Sequence, residues 1–362
     1  MHIYSLYKNP RISLDKSGIS WYIHLNYTDS NEKLYKYSYR VVLLDKIKVF
    51  IDGREGTTGL GIFSRLENRS DIEVTVLPEE TRKSTEARKK VINESDITVL
   101  CLPDSAAKES VSLIENPDVI ILDASTAHRT ADGWVYGLPE LCAGQKEKIA
   151  SSKRIAVPGC HASGFISLVY PLVEKGIIGK DALLCCHSIT GYSGGGKKMI
   201  AEYEADEKAQ KLFAPRQYGL TQTHKHLPEM TKITGLHNSP VFCPIVSDFY
   251  SGMLVTVPLF KSQLKNEATA ETIKEIYKEK YDGTMNIEYC EDMADGGFLD
   301  SNTLSGTDKM QVGVFGNEDR ILLTARYDNL GKGASGAAVQ CLDLVIKNMK
   351  TNNGRVYHDK RY

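Results

Sequence analysis

The sequence predicts an α/β protein of two domains, a doubly wound parallel sheet followed by an α+β domain with a largely antiparallel sheet. Three observations predict it. From Lys46 onward, short β-branched and aromatic runs alternate with helix-like stretches at βαβ spacing. The runs are nearly continuously apolar, as suits strands covered on both faces. Beyond Pro158 the alternation gives way to longer strands and a separate set of helices.

In the first domain, KIKVFIDG is a strand ending in glycine and REGTTGLGIFSRLENR a helix. DIEVTVLP, DITVLCLPD and DVIILDAS are the next strands, with STEARKKVINES and SAAKESVSLIEN as intervening helices. In the second, a helix is expected from about Ser163 to Lys175, then the strand ALLCCHSITGYS and a long charged helix in GGGKKMIAEYEADEKAQKLF. The strands GMLVTVPLF and RILLTARYDN flank the helix NEATAETIKEIYKEKY. The stretch GASGAAVQCLDLVIKNM opens with small residues and continues as an amphipathic helix. The expected boundaries are 46–158 with 331–362 for the first domain and 159–330 for the second. Residues 1–45, rich in tyrosine and without a sustained period, read as an extension outside the fold, neither secretory signal nor transit peptide.

Composition narrows the function. A net charge of −1 gives no bulk field to recruit nucleic acid or an anionic membrane. No apolar run approaches the roughly 20 residues of a membrane span. Eight cysteines without paired C-x-x-C spacing indicate neither a zinc ribbon nor a disulfide framework, and free thiols suit a reducing, cytoplasmic setting.

IDGREGTTGLG puts Gly53, Gly56 and Gly59, with Thr57 and Thr58, at the first strand-to-helix turn. Glycine there admits a tight turn and a close pyrophosphate, and the helix start offers free N–H groups. The spacing is G-x-x-G-x-x-G, so the βαβ context supports the motif more than the glycines do. After the second strand, Glu79 and Glu80 can meet a ribose, whereas Arg82 and Lys83 can bind a 2′-phosphate, which favours NADP(H).

In VPGCHASGF, Cys160 stands at a Pro-Gly turn before an apolar helix, where a helix N-terminus favours thiolate. Cys101, Cys185, Cys186 and Cys341 lie in apolar stretches and read as packing residues. QTHKHLPEM supplies His226 as base and Glu229, three residues on, as its orienting partner. A zinc reading of His224 and His226 has no spacing signature for further ligands, so no metal is expected. His161 is assigned no chemistry.

These stretches, together with DASTAHRTADGWVYGLPEL, SGGGKKMIAEYE and DNLGKGASGAAVQ, resemble the N-acetyl-γ-glutamyl-phosphate reductase family in its shorter type. The family belongs to the aspartate-semialdehyde dehydrogenase-like group. The resemblance covers Lys46 to about Met349, and departs from it at His161-Ala162-Ser163 after the cysteine. It implies a Rossmann-type dinucleotide domain and a substrate and dimerisation domain. It implies reduction of a small acyl phosphate by NADPH through a Cys160 thioester, with His226 and Glu229 as the acid/base pair. It places Arg129 and Lys197 at the substrate, and Ser125, Gly194, Gly195 and Asn329 at the cofactor. A cytoplasmic homo-oligomer, dimer or tetramer, is the implied state. The alternatives are the same chemistry on aspartyl or carrier-bound acyl phosphates, a non-catalytic redox sensor, and a cysteine acyltransferase or hydrolase.

Overall fold

The computed structural model describes residues 8–14, 20–28, 34–42 and 46–352. Strands β1 (Lys8–Leu14), β2 (Ser20–Thr28) and β3 (Leu34–Val42) form an antiparallel sheet in that order, sharing no strand with the other two sheets. The segment shows no sustained period in sequence, yet it is rich in tyrosine, a good strand former. The rest of residues 1–45, and residues 353–362 of the tail assigned to the first domain, lie outside the described residues.

The first domain holds β4 (Ile47–Asp52), α1 (Thr57–Leu66), β5 (Ile72–Thr75), α2 (Thr85–Glu94), β6 (Ile97–Leu100), α3 (Asp104–Ser112), β7 (Ile120–Asp123), β8 (Val135–Tyr136), α4 (Gln145–Ser151) and β9 (Arg154–Ala156). Its six strands are parallel, in the order β5-β4-β6-β7-β9-β8. After β4 the chain first adds a strand on one side and then crosses to the other. That reversal opens a crevice at the carboxyl ends of β4 and β6, the general ligand position in such sheets. Every residue of β4 except Lys48 is buried, as the continuous apolar run requires.

The second domain begins with α5 (Cys160–Glu174), three residues before the predicted start, so that Cys160 is its first residue. Then come β10 (Cys185–Gly191), α6 (Gly196–Tyr203), β11 (Arg216–Gln217), α7 (Leu227–Thr234), β12 (Val241–Ser247), β13 (Met253–Phe260), α8 (Ala270–Tyr281), β14 (Ile287–Tyr289), β15 (Met310–Gly316) and β16 (Arg320–Tyr327). The sheet order is β11-β12-β10-β13-β16-β15-β14. Only the β10–β12 and β14–β15 pairs are parallel. The charged helix expected after Gly196 ends at Tyr203 and gives way to turns.

Helix α5 is apolar on nearly every side and lies wholly inside this domain, its Phe165, Ile166, Leu168, Val169 and Leu172 fully buried. Pro171 removes the N–H that would bond the Ser167 carbonyl one turn earlier, a loss of about 3 kcal/mol in an ordinary helix. The Tyr281 hydroxyl donates to that carbonyl at 2.6 Å, so the helix stays intact. At its start, the Tyr327 hydroxyl donates to the Cys160 carbonyl at 2.5 Å and accepts from the Gly164 N–H at 3.1 Å. The first turn is thus tied to β16. The last helix, α9 (Gly336–Asn352), returns to the first domain, where Ala337, Cys341, Leu342 and Val345 join the core around β4 and β6.

Candidate active site

The glycine turn lies at the mouth of the crevice. Gly53 has φ +89, and a Cβ there would run into the Cys101 carbonyl at the end of β6. Only glycine lets β4 turn so close to its neighbour. Gly56 caps α1 without any side-chain bond, and Thr57, Thr58 and Gly59 follow in its first turn. Two cavities flank this turn. One, of about 360 Å³, is lined by Gly53, Arg54, Leu77, Arg82, Lys83 and Arg88. The other, of about 210 Å³, is lined by Gly56, Thr57, Thr58, Gly59, Ser125 and Lys225 among others. The Nε atoms of Arg54 and Arg82 are buried with no hydrogen-bond partner among the described residues. Free N–H groups and unpartnered guanidinium nitrogens around one crevice suit the phosphates of a dinucleotide.

Cys160 stands where the two domains meet. The Cys160 sulfur and a ring nitrogen each of His161 and His226 lie within 4.8 Å of one another. Gly159, just before the cysteine, is enclosed: a Cβ there would collide with the Arg129 guanidinium, Glu229 Oε1 and His226 Nε2. Its N–H donates to Glu229 Oε2 at 3.1 Å. His226 is the N-cap of α7, and its own N–H donates to His224 Nδ1 at 3.2 Å. Both nitrogens of His161 are engaged, with the Ser188 hydroxyl at 2.6 Å and the Tyr218 hydroxyl at 2.7 Å. A metal ion taken up by these three would therefore have to break a bond of His161.

One expected role is corrected, and a second residue proves to have a structural task as well. Glu229 does not orient His226: it accepts from Arg129 at 2.7 Å, from the Tyr136 hydroxyl at 2.8 Å and from Gly159, while His226 Nδ1 is buried without a partner. A buried guanidinium needs a counter-ion more than a neutral imidazole needs an orienter. Arg129 spends three of its five N–H groups inside the protein, and it lines the smaller cavity with two to spare. Its Nε donates to the Val157 carbonyl, Nη2 to the Ala124 carbonyl and Nη1 to Glu229. The buried pair ties α7 to the first domain.

The remaining expected residues divide. Ser125 lines the smaller cavity, its hydroxyl held by Asp123. Gly194 and Gly195 sit in a tight turn after β10. Asn329 fastens that turn: it donates to the Ser193 hydroxyl at 3.0 Å and accepts from the Gly252 N–H at 2.8 Å. Lys197 reaches back to Glu55 on the glycine turn at 3.3 Å, an exposed bridge between domains and not a contact of the nucleophile.

Electrostatics refine the chemistry. Burial pushes the Cys160 thiol above its ordinary value, against the pull of Arg129, the His161 N–H and Lys225. The helix start therefore does not by itself make a thiolate, and a base is required. Burial, then the charge of Arg129, holds His226 well below its ordinary value, so it is neutral and able to accept a proton. Burial likewise lowers His161 to about 3 and His224 to about 4.

Against known proteins, a model described as semialdehyde dehydrogenase, NAD binding domain, matches residues 48–151. A second, semialdehyde dehydrogenase, dimerisation domain, matches residues 160–329. N-acetyl-gamma-glutamyl-phosphate reductase 2 of Nostoc sp. is 45% identical over 314 residues, 84% of this chain and 98% of the relative. The chain belongs to the N-acetyl-γ-glutamyl-phosphate reductase family. Reductase 2 of Pseudomonas putida is 43% identical over 305 residues, 82% of this chain and 96% of the relative. Among solved structures, aspartate semialdehyde dehydrogenase II from Vibrio cholerae shares the fold at a TM-score of 0.61 and 17% identity, over 84% of this chain and 99% of that one. The chain is thus an oxidoreductase that uses a nicotinamide dinucleotide. No helix among the described residues is long and apolar enough to cross a membrane.

Within this family member, sequence reasoning missed Lys225. It lines the cavity between the glycine turn and α7, and its charge acts on Cys160, His161, His224 and His226. It forms no hydrogen bond or ion pair among the described residues. The signal was present: a lysine between two histidines of HKH, beside the expected base. Tyr136, immediately before GLPEL, carries no such signal, because its role exists only through the fold.

Proposed function

We propose that the chain reduces N-acetyl-L-glutamyl 5-phosphate to N-acetyl-L-glutamate 5-semialdehyde and phosphate, in arginine biosynthesis, with NADPH as reductant. The observation that carries this reading is one constellation: Cys160 opening a buried helix, neutral His226 within 4.8 Å, and unpaired Lys225 facing the same cavity as the glycine turn. The names of the relatives supply the substrate.

In this reading His226 takes the proton of the Cys160 thiol, and the sulfur attacks the acyl carbon. The C–O bond to phosphate breaks, and phosphate departs toward Lys225, whose ammonium meets its charge. The acyl group stays on Cys160 as a thioester. Bound NADPH supplies the hydride that reduces it. The C–S bond then breaks, the semialdehyde leaves, and His226 returns its proton to sulfur. The ion pair of Arg129 and Glu229 is a positioning device, holding α7 and the Gly159 N–H in place. Gly53, Gly56, Thr57, Thr58, Gly59 and Ser125 would border the cofactor, and Arg82 and Lys83 would receive its 2′-phosphate. The match to a dimerisation domain supports a homo-oligomer, and the biosynthetic role a cytoplasmic one.

The reaction run backwards tests the substrate. With NADP and inorganic phosphate, N-acetylglutamate semialdehyde should drive nicotinamide reduction and aspartate semialdehyde should not. A preference for aspartate semialdehyde, or no reduction with either, would overturn the assignment.

A further inference from the structure

We infer that Tyr218 is a further catalytic residue, its hydroxyl aimed by a relay through Ser188 and His161 to donate to the acyl oxygen on Cys160. The inference rests on the acyl-transfer reading above, in which that oxygen gains negative charge when sulfur attacks and again when hydride arrives, and so calls for a fixed donor. The groups already engaged do not supply it. His226 handles the proton of the thiol, Lys225 meets the phosphate, and the Gly159 N–H is spent on Glu229. His161, where the chain departs from the family pattern, leads to one that can.

Three groups stand in series. His161 Nδ1 lies 2.6 Å from the Ser188 hydroxyl, and Nε2 lies 2.7 Å from the Tyr218 hydroxyl. Burial and proton count fix the direction of the bonds. His161, lowered to about 3 chiefly by burial, is neutral, so one ring nitrogen donates and the other accepts. Ser188 is fully buried on β10, and among the described residues the His161 ring is the one acceptor its hydroxyl meets. If that hydroxyl accepted from His161, its own proton would be buried without a partner, which proteins avoid. Ser188 therefore donates to Nδ1, the Nε2–H donates to Tyr218, and the Tyr218 proton remains free for another acceptor. The reacting atoms are close by. A ring nitrogen of His161 lies within 4.8 Å of the Cys160 sulfur. Burial, then the charge of Cys160, pushes the Tyr218 hydroxyl above its ordinary value, so it stays protonated and acts by hydrogen bond alone. The Tyr218 N–H donates to the Pro244 carbonyl at 3.0 Å, which anchors the residue beside β12.

With NADP, inorganic phosphate and N-acetylglutamate semialdehyde, Tyr218→Phe should lower kcat about 100-fold and change KM less than about threefold, as loss of a donor used only in the transition state requires. Ser188→Ala lets the relay reverse, so that Tyr218 donates to His161, and should lose part of that rate. The double variant should be no slower than Tyr218→Phe alone, because both substitutions act on one proton. In all three the pH dependence of Cys160 alkylation should stay that of the parent. Without any substrate, nitrogen-15 spectra of histidine-labelled parent protein, with His161→Gln to assign the signal, should show Nε2 of His161 protonated and Nδ1 bare. A KM effect without a kcat effect would overturn the role, as would single losses that multiply in the double variant. So would an alkylation profile displaced to higher pH in Tyr218→Phe, which would give the hydroxyl to sulfur, or a proton found on Nδ1 of His161. A parent that turns over no semialdehyde would instead fail the reading above, and the tautomer of His161 would still decide the relay.

Discussion

The crevice beside the glycine turn and the cup around Gly159 are both lined with basic groups, yet they differ in what those groups are doing. In the crevice, Arg54 and Arg82 keep buried nitrogens without partners, and α1 begins without a side-chain cap. In the cup, Arg129 has every nitrogen bonded within the protein, and its counter-ion Glu229 accepts three hydrogen bonds. Among the described residues, Lys225, His226 Nδ1 and the Cys160 sulfur have no such partners there. An arginine's role is therefore read from its bonds and not from its nearness to the nucleophile. Groups tied at several points set geometry, and those without a partner await a ligand.

The sharpest way to break that contrast is to empty the tied pair. Glu229→Ala leaves Arg129 buried without its counter-ion and should lower unfolding stability by about 3–5 kcal/mol. Chemical denaturation measures it, and a loss below about 1 kcal/mol would mean that the pair is not structural. Lys225→Met should do the opposite, leaving stability alone while raising KM for the acyl phosphate or for inorganic phosphate about 10–100-fold, the ~1.5–3 kcal/mol of a charged hydrogen bond. An unchanged KM would return Lys225 to the surface.

The pH dependence of Cys160 sharpens the comparison further. Because its proton is held more tightly than in an ordinary thiol, the thiolate fraction at neutral pH is small and rises roughly tenfold per pH unit until the raised pKa is passed. Alkylation of Cys160 by iodoacetamide in the cofactor-free protein should therefore keep accelerating into the alkaline range. A plateau reached below neutral pH would show a preformed thiolate instead. The smallest effect belongs to the open crevice. Arg82→Ala or Lys83→Ala should each reduce the preference for NADPH over NADH by about tenfold, ~1.4 kcal/mol. An unaltered ratio of kcat/KM values would remove them from the 2′-phosphate.

What the sequence disclosed follows from how far each feature is local. The βαβ pattern, the glycine turn and Cys160 before its helix are all written in runs of consecutive residues, and the six-stranded parallel sheet stands where those runs lie. The strands β8, β9 and β11 are two or three residues long and offer no period to detect. In β12, Pro244 obscures a genuine strand. The pairing of Glu229 was misjudged because spacing along α7 places it near His226, whereas Arg129 reaches it from 100 residues away. Burial decided the thiol in the same way: the helix start was visible in the sequence, and the desolvation around it was not.

The central claim is that Cys160 carries the acyl group. Mixing the enzyme with N-acetylglutamyl phosphate in the absence of NADPH, quenching in acid and digesting tests it directly. The account predicts a burst of one phosphate per chain and an N-acetylglutamyl mass increment on the peptide containing Cys160, both absent in Cys160→Ser. Reduction that proceeds with no such adduct, or an adduct on another residue, would contradict it.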